Sequence, residues 1–121
     1  MKSCFFDRDT RAIADVVEYH IGKTRRIHWM ITRINVPNEH WGKGLGTKLL
    51  REILAAADNE AIVLYLEPMA SGGLTQQSLE DWYFRHGFRW WQGVMRRTPE
   101  FSAWLLQASA PQAHTTPVNE W

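Results

Sequence analysis

What this chain lacks narrows it first. It carries one cysteine, Cys4, in 121 residues, so an internal disulfide is excluded, and no Cys/His cluster has the spacing of a zinc site. Cys4 lies far from any histidine and is expected to be a small buried side chain rather than a nucleophile. No apolar run is long enough to cross a bilayer and none has the form of a signal-peptide core, so a cytoplasmic location without a membrane partner is the default expectation. Charge is nearly balanced, with 14 Lys+Arg against 13 Asp+Glu for a formal charge of +1. The basic residues are scattered, which argues against a dedicated nucleic-acid binder. No internal repeat is present. What remains is one domain with a modest core, ordinary in its 45% hydrophobic and 22% charged content. Its seven tryptophans are unusual for the length, and core packing accounts for buried aromatics more often than ligand stacking does.

The densest information lies between Ile31 and Asp58. A β-branched run (Ile31, Ile34, Val36) leads into Pro37-Asn38-Glu39-His40-Trp41-Gly42-Lys43-Gly44-Leu45-Gly46-Thr47. Leu45, Leu49, Leu50, Ile53, Leu54 and Ala57 then recur at helical spacing, with Lys48, Arg51, Glu52 and Asp58 opposite. The expectation is strand, glycine loop, helix. Glycines at alternate positions allow φ > 0 and let the main chain approach a ligand, while the helix start directs unpaired N–H groups at the same point. Such a terminus favours anions, phosphates above all. Two nucleotide signatures fail here: Gly46 is followed by Thr47-Lys48, the wrong order for a P-loop, and the third glycine of a dinucleotide fingerprint falls on Thr47. The bland alternative is a tight turn before a surface helix.

Elsewhere, Lys2 to Asp7 suits a short strand. Ala12 to Ile21 fits a helix or a strand, and its Val16, Val17, Tyr19 and Ile21 favour the strand, with a hairpin turn at Gly22-Lys23-Thr24-Arg25 into the run Arg26 to Val36. Ala61 to Leu66 is nearly all apolar, as in a central strand covered on both faces. The connection Met69 to Thr75 follows, and Thr75 is placed to cap a helix from Gln76 to His86 that Gly87 stops. Phe88 to Trp91 and Val94 to Arg97 read as two last strands. Residues 1–99 therefore form the domain, and 100–121 a C-terminal extension, a short helix from Glu100 to Ala110 and then a loosely held tail.

Trp41-Gly42-Lys43-Gly44-Leu45-Gly46 resembles the pyrophosphate-binding motif Gln/Arg-x-x-Gly-x-Gly/Ala of the GNAT acyltransferase superfamily, with Trp41 departing from its first position. Asp81-Trp82-Tyr83-Phe84-Arg85-His86-Gly87-Phe88 is similar to that family's Tyr-x-x-x-Gly-Phe element, and Met95-Arg96-Arg97 to its closing strand. The order of elements agrees from about Ala12 to Pro99, although the long helical segment usual after the family's first strand is lacking. The resemblance implies an α+β fold with flanking helices on a mixed, mostly antiparallel central sheet, splayed at a cofactor cleft. It also implies acetyl transfer from acetyl-CoA, as co-substrate, to a primary amine of a small molecule or protein.

In that family pantetheine lies in the splayed gap, here pairing with backbone around Ile34 to Val36. The pyrophosphate would sit on the N–H groups of Gly42, Lys43, Gly44, Leu45, Gly46 and Thr47, with charge from Lys43 and Lys48. Trp41 could stack on the adenine or pack on the neighbouring helix. Tyr83 matches the position of the acid in many members: a phenol near pKa ~10 can protonate a thiolate whose conjugate acid lies near ~8.5. On helical spacing alone, with Leu79, Trp82 and Tyr83 sharing a face, the core reading of Tyr83 is the better one, and the Gly-Phe context tips it toward the acid. For the base there are two candidates, His28 on the strand before the loop and Glu67 at the end of the buried strand. Glu18 and His20 are weaker ones. A mild excess of carboxylates (Glu18, Glu67) fits a cationic acceptor. A competing expectation is a catalytically weak or inactive protein of the same fold that serves as an interaction module, and a homodimer or protein partner fits either case.

Overall fold

A computed structural model describes residues 1–22, 26–70 and 73–99. Among them are six strands, β1 (Cys4–Phe6), β2 (Ile13–Glu18), β3 (Ile27–Asn35), β4 (Ile62–Leu66), β5 (Arg89–Trp91) and β6 (Val94–Arg97). Two α-helices accompany them, α1 (Leu45–Asn59) and α2 (Gln76–Arg85), with a 3-10 turn at Asn38–His40 before the glycine loop. The strands form one sheet in the order β1-β2-β3-β4-β6-β5. Only β3 and β4 run parallel, and α1 is the crossover between them, as a parallel pair requires. The mixed sheet with flanking helices is the fold class expected. The ambiguous run Ala12 to Ile21 is strand over Ile13–Glu18. The expected hairpin tip Lys23 to Arg25 and extension Glu100 to Trp121 lie outside the described residues.

The core forms where the apolar stripe of α1 (Leu49, Leu50, Ile53, Leu54, Ala57) meets Ala14, Val16, Ile31, Ile34, Ile62, Leu64 and Leu66 from the strands. From α2, Leu79, Trp82 and Tyr83 join the same cluster, which puts both helices on one face of the sheet. All five residues of β4 are buried, as expected of a central strand. Because Phe5 is the core residue of β1, its neighbours Cys4 and Phe6 point to the other face, and Cys4 is exposed. The expectation of a buried Cys4 is thereby corrected.

The helix ends follow from their capping residues. Thr75 Oγ1 accepts the Ser78 N–H at 3.0 Å, the cap expected for α2. At the other end Gly87 takes φ +95°, so that its N–H reaches Phe84 O at 3.1 Å and the Phe88 N–H reaches Tyr83 O at 3.1 Å. This is a Schellman closure, for which glycine's freedom is required. The end of α1 is tied to β6 by Arg97, only 5% exposed, whose two terminal nitrogens hold the Asp58 carboxylate at 3.0 and 2.9 Å.

Candidate active site

β3 and β4 pair over four positions, from Ile27↔Ile62 to Met30↔Tyr65, and then part. Past that point β3 keeps its pairing with β2 as far as Asn35↔Ile13, while Leu66 pairs with Met95 on the far side of β4. The edge of β3 facing β4 is therefore without a strand partner from Ile31 onward among the described residues. A bulge sits at the parting. Asp15 and Val16, adjacent on β2, oppose Arg33 and Ile31, which leaves Thr32 as the extra residue of β3. Thr32 Oγ1 donates to Asp15 O at 3.3 Å, and Arg33 pairs with the Asp15 carboxylate at 2.6 Å.

The gap holds a cavity of about 180 Å³, walled by Thr32, Arg33 and Ile34 on one side, Leu66 and Glu67 on the other, and by Leu79 and Tyr83 from α2. Tyr83 and Glu67, expected as acid and as candidate base, thus line one space. Tyr83 is 6% exposed, with the Phe88 ring edge-on at 5.6 Å. Burial pushes its phenol pKa well above the ordinary tyrosine value, so the hydroxyl keeps its proton at any physiological pH. Glu67 is exposed at the end of β4.

His28 is placed elsewhere. It opposes Val63 within the paired part of β3, where its Nδ1 meets the Tyr65 hydroxyl at 2.9 Å. Tyr19 and Trp91 pack on the Tyr65 ring at 5.1 and 5.7 Å. Desolvation, then the charges of Arg26 and Arg96, lower the His28 pKa, so the ring is neutral at pH 7. His28 does not line the cavity with Tyr83 and Glu67. Glu18 and His20 belong with it instead, around a separate cavity of about 330 Å³ at the end of β2.

The glycine loop completes the site. Gly42 and Gly44 adopt φ +77° and +76°, and a Cβ on either would meet no protein atom within 4 Å. Glycine is needed there for backbone conformation, and the loop's outer side is open. Gly44 caps α1 without any side-chain hydrogen bond, and the Lys48 N–H closes onto Gly44 O at 3.0 Å. The earlier N–H groups of Leu45 and Gly46 have no place in the helical ladder, which is the chemistry of an anion site. An outer groove of about 540 Å³ runs from Gly42 and Gly44 past Lys48 and Arg51. Lys43 is exposed, whereas Lys48 leans on Asp7 at 3.4 Å. Thr47 is buried, its Oγ1 accepting the Trp82 Nε1–H at 3.1 Å. That bond fixes the first turn of α1 to the helix carrying Tyr83.

Ile34 and Val36 are core residues by side chain, so any ligand contact there is through backbone. The Val36 carbonyl already accepts the Trp41 Nε1–H at 2.7 Å. Thr32, Arg33, Leu66 and Leu79 are site residues that the sequence reasoning passed over. The signal for the bulge was available: apolar residues of the core face fall at Trp29, partly buried, and Ile31, then at Ile34 and Val36, a change of parity that an unbroken strand cannot make.

A family model for the GNAT acetyltransferase domain matches residues 3–90. The chain belongs to that family, whose common activity is acyl transfer. Among solved structures, the anti-CRISPR protein AcrVA5 superposes with a TM-score of 0.58 at 13% identity, covering 80% of this chain and 100% of that one. A GNAT-family protein from Desulfovibrio desulfuricans gives 0.53 at 21% identity over 78% of this chain and 66% of its own. The KacTA–DNA complex gives 0.51 at 15% identity over 80% and 62%. At such identities these likenesses speak for the fold alone. No curated protein matches by sequence. Among the described residues no group of three or more His, Cys, Asp and Glu could hold a metal ion, and no helix is long and apolar enough to cross a membrane.

Proposed function

We propose that this chain transfers an acetyl group from acetyl-CoA to a primary amine. The observation that carries the reading is that Tyr83 and Glu67 line one cavity in the parting of β3 and β4, at the end of a β3 edge that runs on to the glycine loop. The residues fit the coenzyme. An exposed strand edge suits an extended chain bearing amides, and the loop N–H groups with Lys43 suit its phosphates. When bound, acetyl-CoA supplies the thioester carbonyl.

The protein's part is to manage protons and position. An amine arrives as an ammonium, and the Glu67 carboxylate takes one proton to free the nitrogen lone pair. The new C–N bond forms as the C–S bond breaks, backbone N–H groups near the bulge meeting the oxygen that gains charge. Tyr83 gives its proton to the departing sulfur, and the proton still carried by nitrogen restores the phenol. Burial raises the phenol pKa, so Tyr83 carries its proton throughout the assay pH range. Glu67, an exposed carboxylate at the mouth, also favours a cationic acceptor.

The test is direct. Acetyl-CoA at millimolar concentration should raise the melting temperature, and a panel of primary amines, polyamines and lysine peptides should release free thiol. No melting shift and no thiol release with any amine would overturn the reading.

A further inference from the structure

Trp41 stands where the family motif has a polar side chain, and its indole is turned inward. Its Nε1–H donates to the Val36 carbonyl at 2.7 Å, and Val36 follows directly on β3. The opposite edge of the ring faces the other wall: Cζ3 lies 3.5 Å from where a Cβ on Gly73 would stand, in the connection between β4 and α2. The indole is thus tied to Val36 by a hydrogen bond and lies next to the β4–α2 connection at Gly73. Val36, its acceptor, lies along the chain between Ile34, which lines the cavity of Tyr83 and Glu67, and Gly42 of the glycine loop. The ring remains 38% exposed. It is followed at once by Gly42 and then Gly44, both left-handed and with open space where a side chain would stand.

We propose that Trp41 is a displaceable clasp: it satisfies the Val36 carbonyl, just beyond the open edge of β3, and the pantetheine arm of the coenzyme replaces it there. The proposal rests on the coenzyme reading above. The indole N–H is a stand-in for the amide N–H of the incoming arm, the same donor type on the same acceptor. A ligand that reaches only the glycine loop leaves the clasp in place.

The full chain labelled with 5-fluorotryptophan provides the test, with the Trp41 ¹⁹F resonance assigned by its loss in Trp41→Phe, or in Trp41→Tyr should the first variant not fold. Saturating CoA should move that resonance, and adenosine 3′,5′-bisphosphate, which lacks the arm, should bind without moving it. Trp41→Phe keeps a ring but has no donor to release, so it should bind CoA about three- to tenfold more tightly, the worth of one neutral hydrogen bond. An unmoved Trp41 signal while calorimetry shows CoA bound overturns the clasp, as does an equal response to both ligands or weaker CoA binding by Trp41→Phe. Absence of any CoA binding in calorimetry overturns the coenzyme reading instead, so the two failures are told apart.

Discussion

Two stretches of the same strand pair invite comparison. From Ile27 to Met30, β3 lies against β4 in regular parallel register, and the polar side chains there turn to one another: His28 to Tyr65, with the guanidinium of Arg96 on the same hydroxyl. From Thr32 onward the strands part, and the side chains at that end face a cavity, with Tyr83 brought in from α2. Both stretches offer titratable groups on or beside the same strands. The first uses them for internal contact, with a histidine held neutral by desolvation and neighbouring arginines. The second sets a buried phenol and an exposed carboxylate on one cavity. Where pairing stops decides which residues are available for chemistry, and the residue type alone does not.

The largest expected effect falls on the open stretch. Tyr83→Phe should lower kcat by roughly 10²-fold, the usual worth of a positioned acid, while leaving the acetyl-CoA melting shift intact; an unchanged kcat would remove the tyrosine from the chemistry. Glu67→Gln should lower kcat on the order of tenfold near pH 7. That deficit should shrink as the assay pH rises and solvent supplies neutral amine, and a pH-independent deficit would point to acceptor binding. Trp41→Arg should tighten CoA binding by roughly tenfold in calorimetry, no less than Trp41→Phe does, because a charged donor is added beside the phosphates as the clasp is lost.

The smallest effect falls on the closed stretch. His28→Gln should leave kcat within about twofold, and a loss comparable to that of Glu67→Gln would erase the distinction between the two ends. Its signature belongs to stability. The His28 pKa is lowered in the folded protein, so its contribution is present above the ordinary histidine value of about 6.5 and is lost as pH falls below it. Urea midpoints measured from pH 7.5 to 5.5 should therefore drop more steeply in the native sequence than in His28→Gln.

Local signals carried much of this arrangement. Thr75, Gly87 and the two loop glycines are written in residue type, because capping and positive φ each demand particular side chains, and the helical spacing of Leu79, Trp82 and Tyr83 placed the tyrosine on the inner face. What local signals do not carry is which groups meet across the sheet. Nothing near His28 announces that Tyr65, distant in sequence, will take its Nδ1, and nothing near Trp41 announces the Val36 carbonyl. Cys4 was misplaced for a related reason: in Cys4-Phe5-Phe6 every residue is apolar enough to face inward, and only pairing with β2 selects Phe5.

The closure of α2 has one more consequence. Both the Tyr83 and Phe84 carbonyls are held by the turn that follows, and Thr75 fixes the other end, so the rotational setting of the Tyr83 phenol is a matter of helix phase. One residue inserted between Leu79 and Tyr83 would turn everything beyond it by about 100° around the axis. It would carry the phenol out of the cleft while the sheet kept its register. The length of one ten-residue helix therefore decides whether Tyr83 reaches the cavity at all.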